Sequence, residues 1–288
     1  MTQVAAVPAS GATRGGGRYG GAATSARGTL LLAAVSAGLV ALGWGLGWRG
    51  VDLPAQLFRV DQFRVHGFTL WDSQWYSGHW ALDYSLGYPA LGALVGVGLL
   101  AALSAALATA AFDRILVGAF GPAGRLGSAV FALSVIVETA IGQLAFFTGA
   151  AFALACVWAL LAPRRRFVLA GVLALASTAI SPLAGAFLAL AMAAWCLAVA
   201  LPRPVQPPRS PQPPRAAVVP FAAIGVLALL PIAVTTVLFP GQGPMPYPVI
   251  DWLWETVVAL LVWMVAPRGM RTLRIGVALY ALVLLGSV

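Results

Sequence analysis

The chain contains no lysine. All seventeen of its basic residues are arginines, only eight acids stand against them, and charged residues make up 9% of the 288. A chain that is 61% apolar, with a mean hydropathy of +0.92, has too little charge to coat one water-soluble core, so it belongs to the membrane class. Cysteine is scarce too. Cys156 and Cys196 stand alone inside apolar segments, which excludes a disulfide framework or paired metal spacing and leaves them as small buried hydrophobes. With two histidines and no HExxH motif, a dedicated zinc site is not expected. The net charge of +9 would suggest nucleic acid if it clustered on one soluble face, but the arginines are scattered between apolar runs. Their spacing speaks of topology, and no nucleic-acid partner is expected.

Residues 1–27 are rich in Gly, Ala, Ser and Thr, with Arg14, Arg18 and Arg27, and read as a disordered cytoplasmic tail. Residues 28–288 form the membrane domain. A first apolar run, Thr29 to Trp48, is long enough to cross a hydrocarbon core of about 30 Å at about 1.5 Å per residue. Its tryptophans, Trp44 and Trp48, suit an interfacial belt rather than a signal-peptide cleavage site. A second run opens at Pro89 and reaches about Phe112. The blocks Gly127 to Ala162 and Phe167 to Leu201 are each too long for one span. Turns near Gly142 and at Ser181-Pro182 divide each into two short helices. A Pro-rich cytoplasmic linker, 202–215, precedes runs at Ala216 to Phe239, Trp252 to Ala266 and Ile275 to Val288. The expectation is an all-α, polytopic bundle of eight to nine spans. The last run rises only about 21 Å, less than a bilayer core, so a longer chain or a partner subunit is expected to complete it.

Orientation follows from the arginines near the span ends. With the N-terminus inside, fourteen of the seventeen are cytoplasmic, and the acids other than Asp113 and Glu138 lie outside. That asymmetry places the chain in the plasma membrane as a multi-pass protein with a cytoplasmic N-terminus and an extracytoplasmic loop at 49–88.

Nearly all the chemistry falls in that loop, which carries four of the eight acids and both histidines. Asp52 follows the first helix closely, and Leu53-Pro54 opens a segment through about Val65 whose apolar spacing predicts a helix lying in the membrane interface. Asp52 is therefore either the cap of that helix or a general base. His79 and Asp83, four residues apart, would share one helix face as a base pair or as two metal ligands, the plainer alternative being a surface polar cluster. Trp71, Trp75, Tyr76 and Trp80 read either as an interfacial belt or as flat walls for a ring-shaped substrate. Arg59 and Arg64 are candidates for a phosphate, or for salt bridges to neighbouring aspartates. Glu138 lies inside an apolar run, where an ionised carboxylate costs about 2.5 to 3.5 kcal/mol, so it should face protein or a wet cavity.

The segment VDLPAQLFRVDQFRVHGFTLWDSQWYSGHW, with GQLAFFTG (Gly142 to Gly149) and SPLAG (Ser181 to Gly185), resembles uncharacterised actinobacterial membrane proteins of the GT-C glycosyltransferase type, some of which are labelled permeases. In that family an acidic pair is usual in the first loop; here the loop acids are not adjacent. The resemblance implies an inverting transfer of sugar from a polyprenyl-phosphate donor to an extracytoplasmic acceptor. Asp52, His79 and Asp83 would supply acid-base chemistry. Arg59, Arg64, Glu138 or a divalent cation would serve the donor phosphate, and membrane lipids would be partners. The competing classes are a secondary transporter, which should show inverted repeats and midplane charges, and a scaffold, which would need none of the loop's polar content.

Single cysteines at Ser73 and Ser210 test the topology. In intact cells an impermeant thiol reagent should label the first and leave the second unmodified; labelling at Ser210 overturns the map.

Overall fold

A computed structural model describes residues 18–74, 78–81, 85–162, 166–201, 218–240 and 247–286. The chain is an all-helical bundle. Its helices are α1 (Arg18–Gly45), α2 (Leu53–His66), α3 (Tyr88–Val95), α4 (Val97–Phe120), α5 (Gly124–Ile141), α6 (Leu144–Leu161), α7 (Phe167–Ile180), α8 (Pro182–Ala200), α9 (Val219–Leu238), α10 (Val249–Val265) and α11 (Arg271–Leu285). Between α2 and α3, two short strands, β1 (Trp71–Asp72) and β2 (His79–Trp80), form an antiparallel ladder. Among the described residues five stretches are long and apolar enough to cross a membrane: Ala26–Gly45, Val97–Ile141, Leu144–Leu161, Pro182–Ala200 and Val219–Leu238. The longest holds two helices, α4 and α5, which reverse at Gly121 (φ 64) and pack on one another.

The helix breaks follow local chemistry. α5 ends at Gly142, which takes the left-handed conformation (φ 94) that a helix C-terminus favours, and α7 ends before Pro182, whose ring disfavours helix in Ser181. Ser181 then caps α8, its hydroxyl accepting from the Ala184 amide. Two boundaries depart from expectation. α1 starts at Arg18 rather than Thr29, so residues 18–27 of the expected disordered tail are helical, while 1–17 lie outside the described residues. The second run breaks at Gly96 (φ 91) into α3 and α4, and α4 continues through the expected connection to Phe120. The linker 202–215 also lies outside the described residues.

Two core clusters hold the bundle. One joins α1 to α6 through Val40, Leu53, Val60, Ala105, Val135 and Leu144; the other joins α6 to α9 through Cys156, Ala174, Leu188, Met192, Ile224 and Ala228. Lipid offers no hydrophobic drive between helices, so close backbone approach and cross-helix hydrogen bonds carry the packing. Ser104 donates to Thr148 at 3.0 Å, Ser177 to the Gly149 carbonyl at 2.8 Å, and Thr178 to the Ala228 carbonyl at 2.8 Å. A Cβ on Gly149 would fall 2.8 Å from that of Ala184, and one on Gly185 would fall 2.1 Å from the Thr178 hydroxyl.

α10 and α11 form a hairpin that packs on the bundle mainly through α11 against α8. Glu255 accepts hydrogen bonds from Tyr247, at 2.5 Å, and from Tyr280, and Trp252 Nε1 donates to the Leu284 carbonyl. The bond to Glu255 is the main cause that pushes the Tyr247 phenol up from 10.0 to about 12.

The 49–88 segment is pinned at both ends, backbone to backbone. The Asp52 amide donates to the Ile141 carbonyl at 3.2 Å, and the Leu86 and Gly87 amides donate to the Ala179 carbonyl at 2.9 and 2.8 Å. Gly50 lies so close to α5 that a Cβ would fall 1.9 Å from Ile141 backbone, and a Cβ on Gly142 would fall 2.6 Å from the Leu53 nitrogen. Gly50→Ala and Gly142→Ala should each cost about 1–3 kcal/mol in detergent unfolding. Gly118→Ala, which meets open space within helix α4, should be neutral or gain about 0.5–1 kcal/mol. Equal effects at all three positions would refute the pinning.

Candidate functional site

α2 begins where the segment is pinned. Leu53 (1% exposed), Gln56 (2%) and Val60 (0%) form its bundle-facing stripe, and Gly92 of α3 lets Val60 approach. The periodicity expected over 53–65 holds, but Val65, expected to face down with the apolar set, is 74% exposed.

Asp52 occupies the N-cap position of α2 without acting as a cap. Its backbone is helical (φ −88, ψ −12) rather than in the extended region a capping residue adopts, and Pro54 in the first turn has no N–H to donate. Its carboxylate is half-buried. On α5, Glu138 lies four residues before Gly142, about one turn or 6 Å deeper on the same face. The head of α2 and the helix that carries Glu138 are thereby joined at one corner of the fold, through the Asp52 amide and the Ile141 carbonyl. Glu138 is half-buried, and its side chain has no hydrogen bond or ion pair among the described residues.

Seven residues after Asp52, on nearly the same face of α2, Arg59 turns into the ladder rather than to a neighbouring aspartate. Its Nη2 lies 3.1 Å from His79 Nε2. A guanidinium only donates, so Nε2 accepts and the ring carries its proton on Nδ1. His79 itself corrects a second expectation. It is in a strand opposite Asp72, not on a helix face with Asp83, and Asp83 lies outside the described residues. Asp72 closes a tight turn by accepting from the Gln74 amide at 2.9 Å.

Arg64 pairs with Asp61 at 2.9 Å, both side chains at least half exposed, an arrangement that contributes about 0–1 kcal/mol. Arg49 closes the end of α1, donating to the Trp44 and Trp48 carbonyls with its guanidinium 4.2 Å above the Trp44 ring. Trp71 and Trp80 face each other across the ladder, edge to face at 5.1 Å, and Trp80 also meets Phe239 at 5.3 Å. That contact ties the segment to the end of α9. Trp75 and Tyr76 lie outside the described residues.

Beneath the ladder is a cavity of about 40 Å³, lined by Arg59, Gln62, Asp72 and Ser85 among others. It has room for a few waters, each needing about 10–15 Å³, and is too small for a sugar ring. Among the described residues no three His, Cys, Asp or Glu side chains gather as metal ligands. Gln56 is a residue that the sequence reading passed over. It is buried between Asp52 and Arg59, one turn from each, and its Oε1 has no hydrogen-bond partner. The signal was its place in the Leu53–Val60 stripe, where an apolar residue is the rule.

Comparison with protein-family models, curated proteins and solved structures finds no match to this chain.

Because Asp52 makes no cap bond, Asp52→Asn and Asp52→Ala should stay within about 0.5 kcal/mol of the parent in thermal or denaturant unfolding. A working cap would lose about 1 kcal/mol in the alanine variant and little in the asparagine variant.

Proposed function

We propose that this protein is a membrane glycosyltransferase that moves a sugar from a polyprenyl-phosphate donor to an acceptor outside the cytoplasm, with Asp52 as the general base. The observation that carries the reading is a carboxylate fixed by backbone at the head of α2, not used for capping, tied to the end of the helix that carries Glu138 and with an arginine two turns along its own helix. The acceptor oxygen would attack the anomeric carbon from the face opposite the phosphate, and Asp52 would take the hydroxyl proton. The bond from that carbon to the phosphate oxygen would break with its electron pair remaining on the phosphate. Arg59 would offset that charge through several N–H donors. Glu138, held in a site of low polarity a turn deeper, would stand in for the second acid of the family's first loop.

The reading carries a topology with it. Helix ends sort the arginines: Arg49, Arg59 and Arg64 are at the Asp52 end, and Arg27, Arg114, Arg125, Arg166, Arg268, Arg271 and Arg274 are at the other. With the second end cytoplasmic, α1, the α3–α4 pair and α5 to α11 make nine crossings of the plasma membrane. The short helices α7, α10 and α11 span with local thinning of the bilayer. α2 and the ladder then lie at the outer surface, level with the donor phosphate.

The test is transfer by the purified full chain, supplied with a panel of lipid-linked sugars. Asp52→Asn should lower turnover by about 10²- to 10⁴-fold while donor binding persists. Arg59→Ala should weaken donor binding, and Arg64→Ala should not, since Arg64 is committed to Asp61. Undiminished turnover in Asp52→Asn rules Asp52 out as the base.

A further inference from the structure

A large cavity lies at the opposite end of the bundle from Asp52. It is a groove of about 1660 Å³ between α4, α6 and α8 on one side and the α10–α11 hairpin on the other. That volume exceeds the roughly 300–1,000 Å³ of pockets for drug-sized ligands. The groove exists because the hairpin is braced internally, by Glu255 and its two tyrosines and by Trp252, and touches the bundle mainly through α11 on α8. α10 is thereby held away from α4 and α6.

The lining divides by chemistry. Its walls are apolar, with Leu190 and Ala191 facing Val258 and Val277. At the mouth are three arginines, Arg114 from α4, Arg268 from the turn between α10 and α11, and Arg271 at the start of α11, and no lining residue is acidic. Arg114 is half-buried, Arg268 is exposed, and neither has an ion-pair partner among the described residues. Trp158 and Trp195 flank the mouth, where tryptophan suits the boundary between headgroup and hydrocarbon. Arg274, by contrast, is occupied within the hairpin, stacked 4.2 Å over Trp263 and bonded to the Ala266 carbonyl.

We infer that this groove is a binding site for an anionic glycerophospholipid, with its phosphate headgroup at Arg114, Arg268 and Arg271 and its acyl chains between α8 and the α10–α11 hairpin. A zwitterionic lipid would satisfy the walls equally well but would bring a cation to a mouth that has no carboxylate to receive it. A soluble anion would satisfy the arginines and leave the long apolar trough unfilled. Basic pockets between transmembrane helices bind anionic headgroups for the same reason. The site does not depend on the glycosyl-transfer reading, because the groove opens at the other end of the bundle and shares no residue with the Asp52 corner.

The test uses the purified full chain in neutral detergent, titrated with phosphatidylglycerol, phosphatidylcholine or inorganic phosphate while thermal unfolding is followed. Phosphatidylglycerol should raise the unfolding temperature, phosphatidylcholine should do so much less, and inorganic phosphate should leave it unchanged. Each arginine near an anionic surface strengthens attraction about fivefold, so Arg114→Gln with Arg268→Gln should weaken phosphatidylglycerol about 25-fold. Arg125→Gln, at the same end of the bundle but beside Gly28 and outside the groove, should leave the response intact. If that control loses the response as the double variant does, the attraction is general and the site is refuted. Equal responses to the two lipids, or a response to inorganic phosphate alone, refute it as well. Should the double variant fail to fold, photo-crosslinking of the unmodified chain with a diazirine-bearing phosphatidylglycerol decides the matter. Adducts concentrated on α8, α10 and α11 at the groove support the site, and adducts spread around the lipid-facing perimeter overturn it.

Discussion

The polar segment 49–88 is positioned by two places where backbone meets backbone. The segment 49–88 is bonded at one end to the α5–α6 corner, through the Asp52 amide and the Ile141 carbonyl, and at the other to the α7–α8 corner, through Leu86, Gly87 and the Ala179 carbonyl. Both corners are helix ends, which leave carbonyls without intrahelical partners. An exposed helix end gives those carbonyls to water; here the connecting segment takes two of them. The Asp52 side chain is consequently placed by the main chain of two elements rather than by its own hydrogen bonds. That leaves its carboxylate available for chemistry, and it also makes Gly50 and Gly142 indispensable, since a Cβ at either would separate the two backbones.

The same economy of side chains runs through the bundle. In lipid an unpaired polar group is costly, and the hydroxyls of Ser36, Ser104, Ser177 and Thr178 reach carbonyls or each other, whereas those of Tyr88, Thr109 and Thr139 are buried without a partner among the described residues. Ser177 reaches the Gly149 carbonyl because Gly149 has no side chain to hold α6 and α7 apart, and Thr178 reaches Ala228 across the opposite face. Exceptions to this matching therefore stand out. Gln56, buried on α2 with an Oε1 that has no partner among the described residues, is one, and it falls between Asp52 and Arg59.

Much of this architecture was legible in the sequence because it is set by local chemistry. Gly142 and Ser181-Pro182 mark breaks in blocks too long for one crossing, and the spacing of Leu53, Leu57 and Val60 specifies a helix after Asp52. The segments GQLAFFTG and SPLAG, read as marks of family, have a structural reason as well. Gly142 and Gly149, and Ser181 and Gly185, are the close contacts and the cap at the two corners. What the sequence did not reveal depends on long-range pairing. Nothing local says that Arg59 will turn inward to His79, or that the helical spacing of His79 and Asp83 will yield to a strand paired with Asp72. A two-residue ladder is too short to leave a periodic signal. The early start of α1 has another cause: alanine and helical context carry Arg18 to Thr29 into the helix even though their composition resembles a linker.

The two ends of the bundle differ in how they treat charge. At the Asp52 end the arginines are committed: Arg49 to the carbonyls of α1, Arg59 to His79, and Arg64 to Asp61. Within the 49–88 segment four acids stand beside these three arginines, so specificity there must come from the placement of single groups. At the other end arginines outnumber acids heavily. The fully buried Asp113, which accepts from Thr29 at 2.6 Å, is turned into the helix interface instead of toward the groove. A field of one sign favours any anion that can approach, and it is the apolar groove beside it that adds a requirement for an attached chain. The two ends are built independently: α8 and the hairpin set the width of the groove, and the α5–α6 corner fixes the head of α2 without any residue of that groove.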